Sequence, residues 1–199
     1  MRPIFFTADW HFFHENVMKY CDRPFETVEQ MNETIINNYN AKVPRNGHVY
    51  VLGDIGFAGP QKLGPLLEKL NGTKYLIRGN HDFKLKKVFL LKHFAWVKDL
   101  YELKFEHESI RHSIMLCHYA MRVWNKKHYG AWHLYGHSHG TLPEDKSLWT
   151  MDVGVDCNNF SPLSIDDVKE KCALKKIEGE TIETIKEFKG AFKGDEDEI

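Results

Sequence analysis

Clusters of aspartate and histidine stand at the ends of apolar runs in this sequence. The first run, Ile4-Phe5-Phe6, is followed within a few positions by Asp9 and His11. A turn needs one carboxylate at most, so a carboxylate and an imidazole this close together indicate chemistry and not only chain reversal. Similar clusters follow four later runs, and the whole set is Asp9, His11, Asp54, Asn80, His81, His118, His137 and His139.

This mixture of oxygen and nitrogen donors is typical of sites for Mn, Fe, Zn, Co or Ni. A mononuclear zinc site takes three or four such ligands, and the set is large enough for two metal ions and a proton donor. Residues two apart in an extended strand face the same side, so Asp9 with His11, and His137 with His139, are predicted to point at one centre if the strand continues that far. Each residue alone could be structural; the set favours a metal site.

The elements that must position these groups alternate between strand and helix over the first eighty residues. Thr27 and Gln30 form a possible capping box for the first helix, and Gly72 is the expected end of the second. Such alternation predicts an α/β fold whose strands present polar groups at their carboxyl ends. The predicted elements are strands at 2–8, 49–52 and the start of 73–82, and helices within 27–43 and 59–72.

The second half of the chain is rich in β-branched and aromatic residues and predicts mostly strands. A short helix is expected in "SIDDVKEKC", with Ser164 as its N-cap, and an amphipathic basic helix in "FKLKKVFLLKHFAWVK". Strands are predicted within 97–105, 109–118, 131–140, 147–156 and 172–188. We expect one domain over residues 1–190 and a frayed acidic tail over residues 191–199.

Composition excludes several classes of protein. Of the 199 residues, 42% are hydrophobic and 28% are charged, which is typical of a globular domain and not of a disordered chain. The net charge of −1 gives no general argument for nucleic-acid binding. We expect no secretory signal, because the apolar stretch near residue 4 is too short for one, and no apolar run is long enough to cross a bilayer. The four cysteines lack paired spacing, so we expect free thiols and a cytoplasmic protein.

The blocks D-x-H, G-D, G-N-H-D, H and G-H-x-H occur in that order between Asp9 and His139, over about two-thirds of the chain. In this order they resemble the blocks of the calcineurin-like metallophosphoesterases. The opening "TADWHFFHEN" followed by "RPF" further resembles a small stand-alone subgroup from bacteria and phages. The resemblance implies a two-sheet β-sandwich flanked by helices.

The resemblance also implies a role for each matching residue. Two divalent ions, most often Mn, would share a hydroxide that attacks phosphorus in line. His81 would stay off the metals and donate a proton to the leaving oxygen, as histidine can near neutral pH. The first metal would be held by Asp9, His11 and His139, Asp54 would bridge, and the second metal would be completed by Asn80, His118 and His137.

Two departures from the family pattern concern the substrate. Larger members have a second Asp and an Arg after the Gly-Asp block, whereas "GDIGFAG" has Phe57 and no Arg. Asp82 is therefore the candidate partner of His81, with unknown geometry. The phosphate-binding arginine must come from elsewhere, and the candidates are Arg23, which we favour because its loop follows the first metal block, Arg78 and Arg122.

His14 lies outside the five blocks, and it is a substrate contact, a support for the site from outside the ligand set, or a surface residue. The stretch 121–132 mixes basic and aromatic residues, which can bind phosphates and stack on bases or can simply be core. We expect hydrolysis of a phosphodiester, a nucleotide or a nucleic-acid end, with no membrane or obligate protein partner. The alternatives are a phosphomonoesterase or protein phosphatase, a non-catalytic scaffold of the same fold, and a nucleic-acid-binding protein with structural metals.

Overall fold

The structure, a computed structural model, describes residues 2–107, 110–143 and 149–173. The helices in these segments are α1 (Glu15–Tyr20), α2 (Val28–Lys42), α3 (Pro60–Glu68), α4 (Lys87–His93) and α5 (Ile165–Ala173). The strands are β1 (Ile4–Thr7), β2 (His48–Val51), β3 (Thr73–Ile77), β4 (Val97–Lys98), β5 (Leu100–His107), β6 (Ile110–Cys117), β7 (Trp132–Tyr135), β8 (Thr150–Asp152) and β9 (Leu163–Ser164).

The strands form two mixed sheets. In the first sheet the order is β4-β3-β2-β1-β9, with β1 to β4 parallel and β9 antiparallel to β1. In the second sheet the order is β5-β6-β7-β8, with only β5 and β6 antiparallel. Because β1, β2 and β3 are parallel, the loops that follow them leave the first sheet at the same edge.

Alternate residues of β1 belong to two different cores. Phe6 packs with Leu116 and Leu134 of the second sheet, so the two sheets face each other across one apolar layer. Phe5 points the other way and packs with residues of α2 and α3, including Ile35 and Leu67. Both faces of the first sheet are therefore covered, which explains why its strands are almost continuously apolar.

The architecture confirms the α/β fold and the two-sheet sandwich flanked by helices that the family resemblance implied. Thr27 caps α2, because its side chain accepts a hydrogen bond from the Gln30 backbone N–H at 3.1 Å, and Ser164 accepts one from the Asp167 N–H at 3.0 Å before α5. The capping box is altered, since the Gln30 side chain accepts from the N–H of Glu26 and not from that of Thr27.

Two predicted elements differ from the structure. In the basic amphipathic stretch the only α-helix is the short α4; Phe94, directly after it, packs into the core, and the chain then enters β4. The expected last strand begins inside α5, whose final residue is Ala173. The remainder of that strand and the acidic tail lie outside the described residues.

Candidate metal centre

The loops after β1 and β2 run side by side and are joined through their backbones. The N–H of Asp9 donates to the carbonyl of Gly53 at 3.0 Å, and the N–H of His11 donates to the carbonyl of Asp54 at 3.0 Å. These bonds continue the parallel pairing of the strands beyond the sheet edge. They hold the first and second polar blocks of the sequence next to each other.

The backbone at these positions is left-handed and not extended, so the condition that the strand continues as far as these residues is not met. Strand β1 ends at Thr7, and both Asp9 and His11 follow it in the αL region. A left-handed non-glycine residue costs roughly 1–2 kcal/mol, although Asp and His adopt this conformation more readily than most residues. Five of the predicted ligands have it: Asp9 (φ 59°), His11 (50°), Asp54 (54°), His137 (69°) and His139 (47°).

Asp9, His11 and His139 form the first group of possible metal ligands, with one ligand atom from each within 4.8 Å of the others. Asp9 and His11 are almost fully buried. Within the described segments, Oδ1 of Asp9 and both ring nitrogens of His11 have no hydrogen-bond partner. The other oxygen of Asp9, Oδ2, accepts the backbone N–H of His137 at 2.8 Å.

Asp54, His118 and His137 form the second such group, under the same 4.8 Å limit. Oδ2 of Asp54 lies 3.6 Å from Nε2 of His118 and 3.7 Å from Nε2 of His11, so this carboxylate stands between the two groups. Asn80 reaches the second group, because its Oδ1 lies 3.2 Å from Nε2 of His118.

The ring of His118 is oriented by the backbone behind it. Its Nδ1 lies 2.7 Å from the carbonyl oxygen of Leu52, which can only accept, so Nδ1 carries the proton and Nε2 presents its lone pair to the site. Gly79 allows the strand ends to approach this closely, since a Cβ at this position would collide with the carboxylate of Asp54.

The pKa directions follow from burial. Burial raises the pKa of Asp9, and the nearby carboxylates of Asp152 and Asp54 raise it further. Burial likewise lowers the pKa values of His11 and His118, which keeps both rings neutral. Unpaired buried atoms, neutral imidazoles and crowded carboxylates are the state that a divalent cation would stabilise, so the donor set fits the metal ions that the family resemblance implies.

Arg23, the favoured phosphate contact of the sequence prediction, lies under the site and not at its surface. The guanidinium is fully buried and forms a bidentate ion pair with Asp156, with N–O distances of 2.7 and 2.8 Å. It also donates to the backbone carbonyls of Asp9 (2.8 Å) and Trp10 (3.0 Å). The structure therefore corrects the role of Arg23 from substrate contact to support of the ligand loop.

Asp156 is a residue that the sequence did not single out. Its Oδ2 lies 2.7 Å from Nδ1 of His139, so the carboxylate fixes the orientation of that predicted ligand. Burial alone would raise the pKa of Asp156, but hydrogen bonds from His139 and Arg23 outweigh burial and lower it. Cys21 lies near His139 and Asp156, and burial raises the pKa of its thiol to about 11. No local pattern marks Asp156, because Arg23 is distant in sequence.

Asp82, predicted as the catalytic partner of His81, contacts the backbone instead. Its carboxylate accepts the N–H groups of Gly79 (2.8 Å), Asp54 (2.9 Å) and Ile55 (3.0 Å). Burial raises its pKa to about 7, although these three bonds act in the opposite direction. Asp82 therefore ties the ends of β2 and β3 together, and we correct its predicted role to a positioning one.

His81 stands beside the bridging carboxylate. Its backbone N–H donates to Oδ1 of Asp54 at 3.0 Å, and its Nε2 lies 3.8 Å from Oδ2 of the same residue. The side chain is 28% exposed, so it can reach both the site and an incoming molecule. His11, Asp54 and His81 also satisfy the 4.8 Å limit for possible ligands. His14, outside the sequence blocks, has its ring centroid 6.1 Å from that of His81.

A cavity of about 680 Å³ lies between the loops that follow His118 and His139. Arg122 and Lys127 are its cationic lining residues, and a role of Arg122 in substrate binding stays a prediction. Trp124 of the same stretch is core, because it is buried and its indole N–H donates to the carbonyl of Ala131 at 2.8 Å. The residues that line the cavity are Ala120, Met121, Arg122, Val123, Lys127, Tyr135, Leu142, Pro143 and Thr150.

Fold and site together define a two-sheet phosphoesterase with a histidine- and aspartate-rich centre at one sheet edge. A sequence profile of the calcineurin-like phosphoesterases matches residues 2–168, and the chain belongs to this family of metal-dependent phosphoric ester hydrolases. The family resemblance read from the five sequence blocks is thus confirmed. None of the helices in the described segments has the length and apolar character that crossing a bilayer would require.

Two further proteins are similar to this chain. An uncharacterised protein of Methanocaldococcus jannaschii is 33% identical to it, over 94% of this chain and 99% of the other. The crystal structure of a protein of unknown function from Aquifex aeolicus covers 86% of this chain and 100% of its own, with a TM-score of 0.65 and 21% identity. The second similarity shows a shared fold.

Proposed function

We propose that this chain is a dinuclear metal-dependent phosphodiesterase that acts on nucleotides or nucleic-acid ends. The observation that carries the proposal is the place of Asp54, whose Oδ2 lies between His11 at 3.7 Å and His118 at 3.6 Å. A carboxylate shared by two groups of ligands is what two neighbouring cations require. The same centre could serve a phosphomonoesterase, so the substrate class needs separate support.

The proposed ligands are those of the sequence prediction. Asp9, His11 and His139 would hold one ion, Asn80, His118 and His137 the other, and Asp54 both. Ions bound there would activate a water molecule as the nucleophile and neutralise charge on the phosphoryl oxygens. Mn²⁺ is our first candidate, and Fe, Zn, Ni or Co also suit these donors.

His81 is the proposed general acid. Its backbone bond to Asp54 holds it next to the reacting phosphate, and its partly exposed ring can donate a proton to the leaving oxygen. Asp82 holds the Gly79 turn that precedes it. The chain thus supplies an acid that its backbone holds beside the proposed ligands.

The cavity that Arg122 and Lys127 line, in the loop that begins just after His118, is our argument for a diester. A phosphomonoester has one organic substituent, which must lie near His81 as the leaving group. A diester has a second substituent, and the cavity of about 680 Å³ offers it space within the range of small-molecule sites. Arg122 and Lys127 would meet an additional phosphate there. We therefore favour diesters over monoesters. Separately, we propose that the protein is cytoplasmic.

Assays of matched esters test the proposal. The protein, after treatment with a chelator, is loaded with Mn²⁺, Co²⁺, Ni²⁺, Zn²⁺ or Mg²⁺ and given nitrophenyl and nucleoside mono- and diesters. We expect activity only with metal and a preference for diesters. His81→Gln should slow esters of poor leaving groups about 100-fold, but nitrophenyl esters much less, since nitrophenolate needs no proton.

His93→Gln is the matched control, because His93 lies on α4 away from the ligands. Metal content of each variant is measured alongside activity. Equal losses on both kinds of ester in His81→Gln would contradict the acid role. A preference for monoesters would contradict the diester assignment. A protein that is inert with every metal and ester would support a scaffold instead.

A further inference from the structure

Phe57 borders the proposed position of the leaving group. It stands where larger family members have charged residues, and its ring is 44% exposed. The ring centroid lies 5.3 Å from that of His81, with an angle of 70° between the planes, so the edge of one ring meets the face of the other. An exposed aromatic ring is thus the neighbour of the proposed general acid.

His14 supports this ring from behind. The two rings stack with centroids 4.4 Å apart and planes inclined by 20°. Tyr20, which is 76% exposed, meets His14 edge-on at 6.5 Å. We call Phe57, His14 and Tyr20 the aromatic shelf. It adjoins His81 through Phe57 and His14, and it shares no residue with the lining of the cavity that contains Arg122.

We propose that the aromatic shelf binds the base of a nucleotide leaving group and that Phe57 is the residue that determines this specificity. The inference rests on the proposed function, because it takes the oxygen protonated by His81 as the leaving oxygen. A group attached to that oxygen must occupy the space beside His81, which Phe57 borders. Aromatic side chains bind bases by stacking with little preference for sequence, since every base has a π-face.

Lys84 also contacts the shelf, and its position agrees with an anionic, planar ligand. Its ammonium lies 4.7 Å from the centroid of Phe57, and the residue is exposed. An exposed cation–π contact is weaker than the stacking of a base, so an incoming base can displace the lysine from the ring. The displaced ammonium remains near enough to pair with a further phosphate of a nucleic-acid end.

The test compares substrates that share the reacting ester and differ only in the base. One pair is adenosine 5′-phosphate and ribose 5-phosphate. The other is a thymidine dinucleotide and its counterpart without the base on the leaving nucleoside. In Phe57→Leu, we expect the ratio of kcat/KM for the base-containing over the base-free member to fall about tenfold, the usual effect of losing one base stack. Phe57→Trp should retain the ratio.

Phe83→Leu is the control, because Phe83 is an exposed aromatic of the same region, 60% exposed, that lies under Arg78 instead. The ratio should stay at the wild-type value in this variant. A ratio within twofold of wild type in Phe57→Leu would overturn the proposal, and so would an equal fall in Phe57→Trp. Phe57→Met provides a second non-aromatic variant if Phe57→Leu does not fold.

A binding measurement separates this inference from the proposed function. In the slow variant His81→Gln, loaded with Mg²⁺ to avoid paramagnetic broadening, nuclear Overhauser effects are expected between the ring protons of Phe57 and the H2 and H8 protons of adenosine 5′-phosphate. If these Overhauser effects are present but the wild-type enzyme hydrolyses no ester, the result would support base binding by the aromatic shelf and contradict the proposed reaction. Their absence, with either active or inert enzyme, would overturn the shelf.

Discussion

Asp156 orients one of the proposed metal ligands, although it is not a proposed ligand itself. Both of its oxygens accept hydrogen bonds from Arg23, and Oδ2 also pairs with Nδ1 of His139, so that one buried carboxylate links the arginine under the loop to a proposed ligand. A carboxylate behind a ligating histidine fixes the tautomer with Nε2 free and increases the basicity of the ring.

Replacement of this carboxylate should weaken metal binding while the ligands stay in place. We expect Asp156→Asn to lower the affinity for Mn²⁺ about 10–100-fold, measured by calorimetric titration of the metal-free protein. Asp22→Asn is the control, since Asp22 is exposed and its left-handed backbone (φ 47°) suits asparagine equally. An affinity within twofold of wild type in Asp156→Asn would contradict the role of Asp156.

Among the secondary-structure elements, buried polar side chains connect loops and strands through hydrogen bonds to the backbone. Asp82 joins the ends of β2 and β3, and His133 joins β7 to β6 and to the loop that follows β6. His133 is fully buried; its Nδ1 lies 3.0 Å from the carbonyl of Met115, and its Nε2 accepts the N–H of Met121 at 3.0 Å. Because one nitrogen must donate and the other accept, the ring has to be neutral. The loop that carries Arg122 is therefore held by an uncharged histidine.

This requirement predicts a pH dependence of stability. Burial lowers the pKa of His133 below 6.5, although its backbone hydrogen bonds oppose the shift. The unfolded chain then binds more protons than the native one, so the stabilisation is present above pH 6.5 and is lost as the pH falls below it. In His133→Gln, we expect the fall in unfolding free energy below pH 6.5 to be shallower by up to about 1.4 kcal/mol per pH unit.

Denaturant titrations with a chelator present measure this slope without competition from metals. His11 and His118 contribute to the wild-type slope in the same direction, so only the difference between wild type and variant is informative. His128→Gln, at an exposed position near the same loop, should leave the slope unchanged. Identical slopes in wild type and His133→Gln would contradict the prediction.

For the molecule as a whole, the proposed metal centre joins two sheets that also pack against each other through an apolar layer. Asp9 and Asp54 follow strands of the first sheet, whereas His118 and His137 follow strands of the second. The metal-free protein therefore keeps uncompensated buried carboxylates and imidazoles between the sheets. Bound cations would stabilise the arrangement of both sheets and not only of one loop.

Metal removal should consequently lower global stability. Mn²⁺ at 100 times its dissociation constant adds about 2.7 kcal/mol, which corresponds to a rise in Tm of roughly 5–10 °C for a chain of this size. Calorimetric scans of Mn²⁺-loaded and chelated protein measure the difference. Asp9→Ala, which removes a proposed ligand, should show a much smaller rise. Equal Tm values for loaded and chelated wild-type protein would contradict the link between metal and fold.

The sequence predicts which residues meet better than it predicts how they meet. Asp9 and His11 were expected to converge along an extended strand, yet they do so through left-handed turns, because hydrophobic periodicity carries no information on backbone handedness. Arg23 lies in a polar loop and was expected at the surface, but its partner, Asp156, is 133 residues away. Asp82 shows the same limit, since its three backbone donors come from two different loops.

The left-handed ligands have a consequence for the history of such folds. Glycine would adopt the backbone of each of these five positions with less strain than Asp or His. Selection for the metals opposes glycine there, and so do hydrogen bonds of these side chains, such as the one that Asp9 accepts from the His137 N–H. A descendant that lost catalysis would be expected to accumulate glycines where Asp9, His11, Asp54, His137 and His139 stand, and glycines at these positions would mark a relative as a former enzyme.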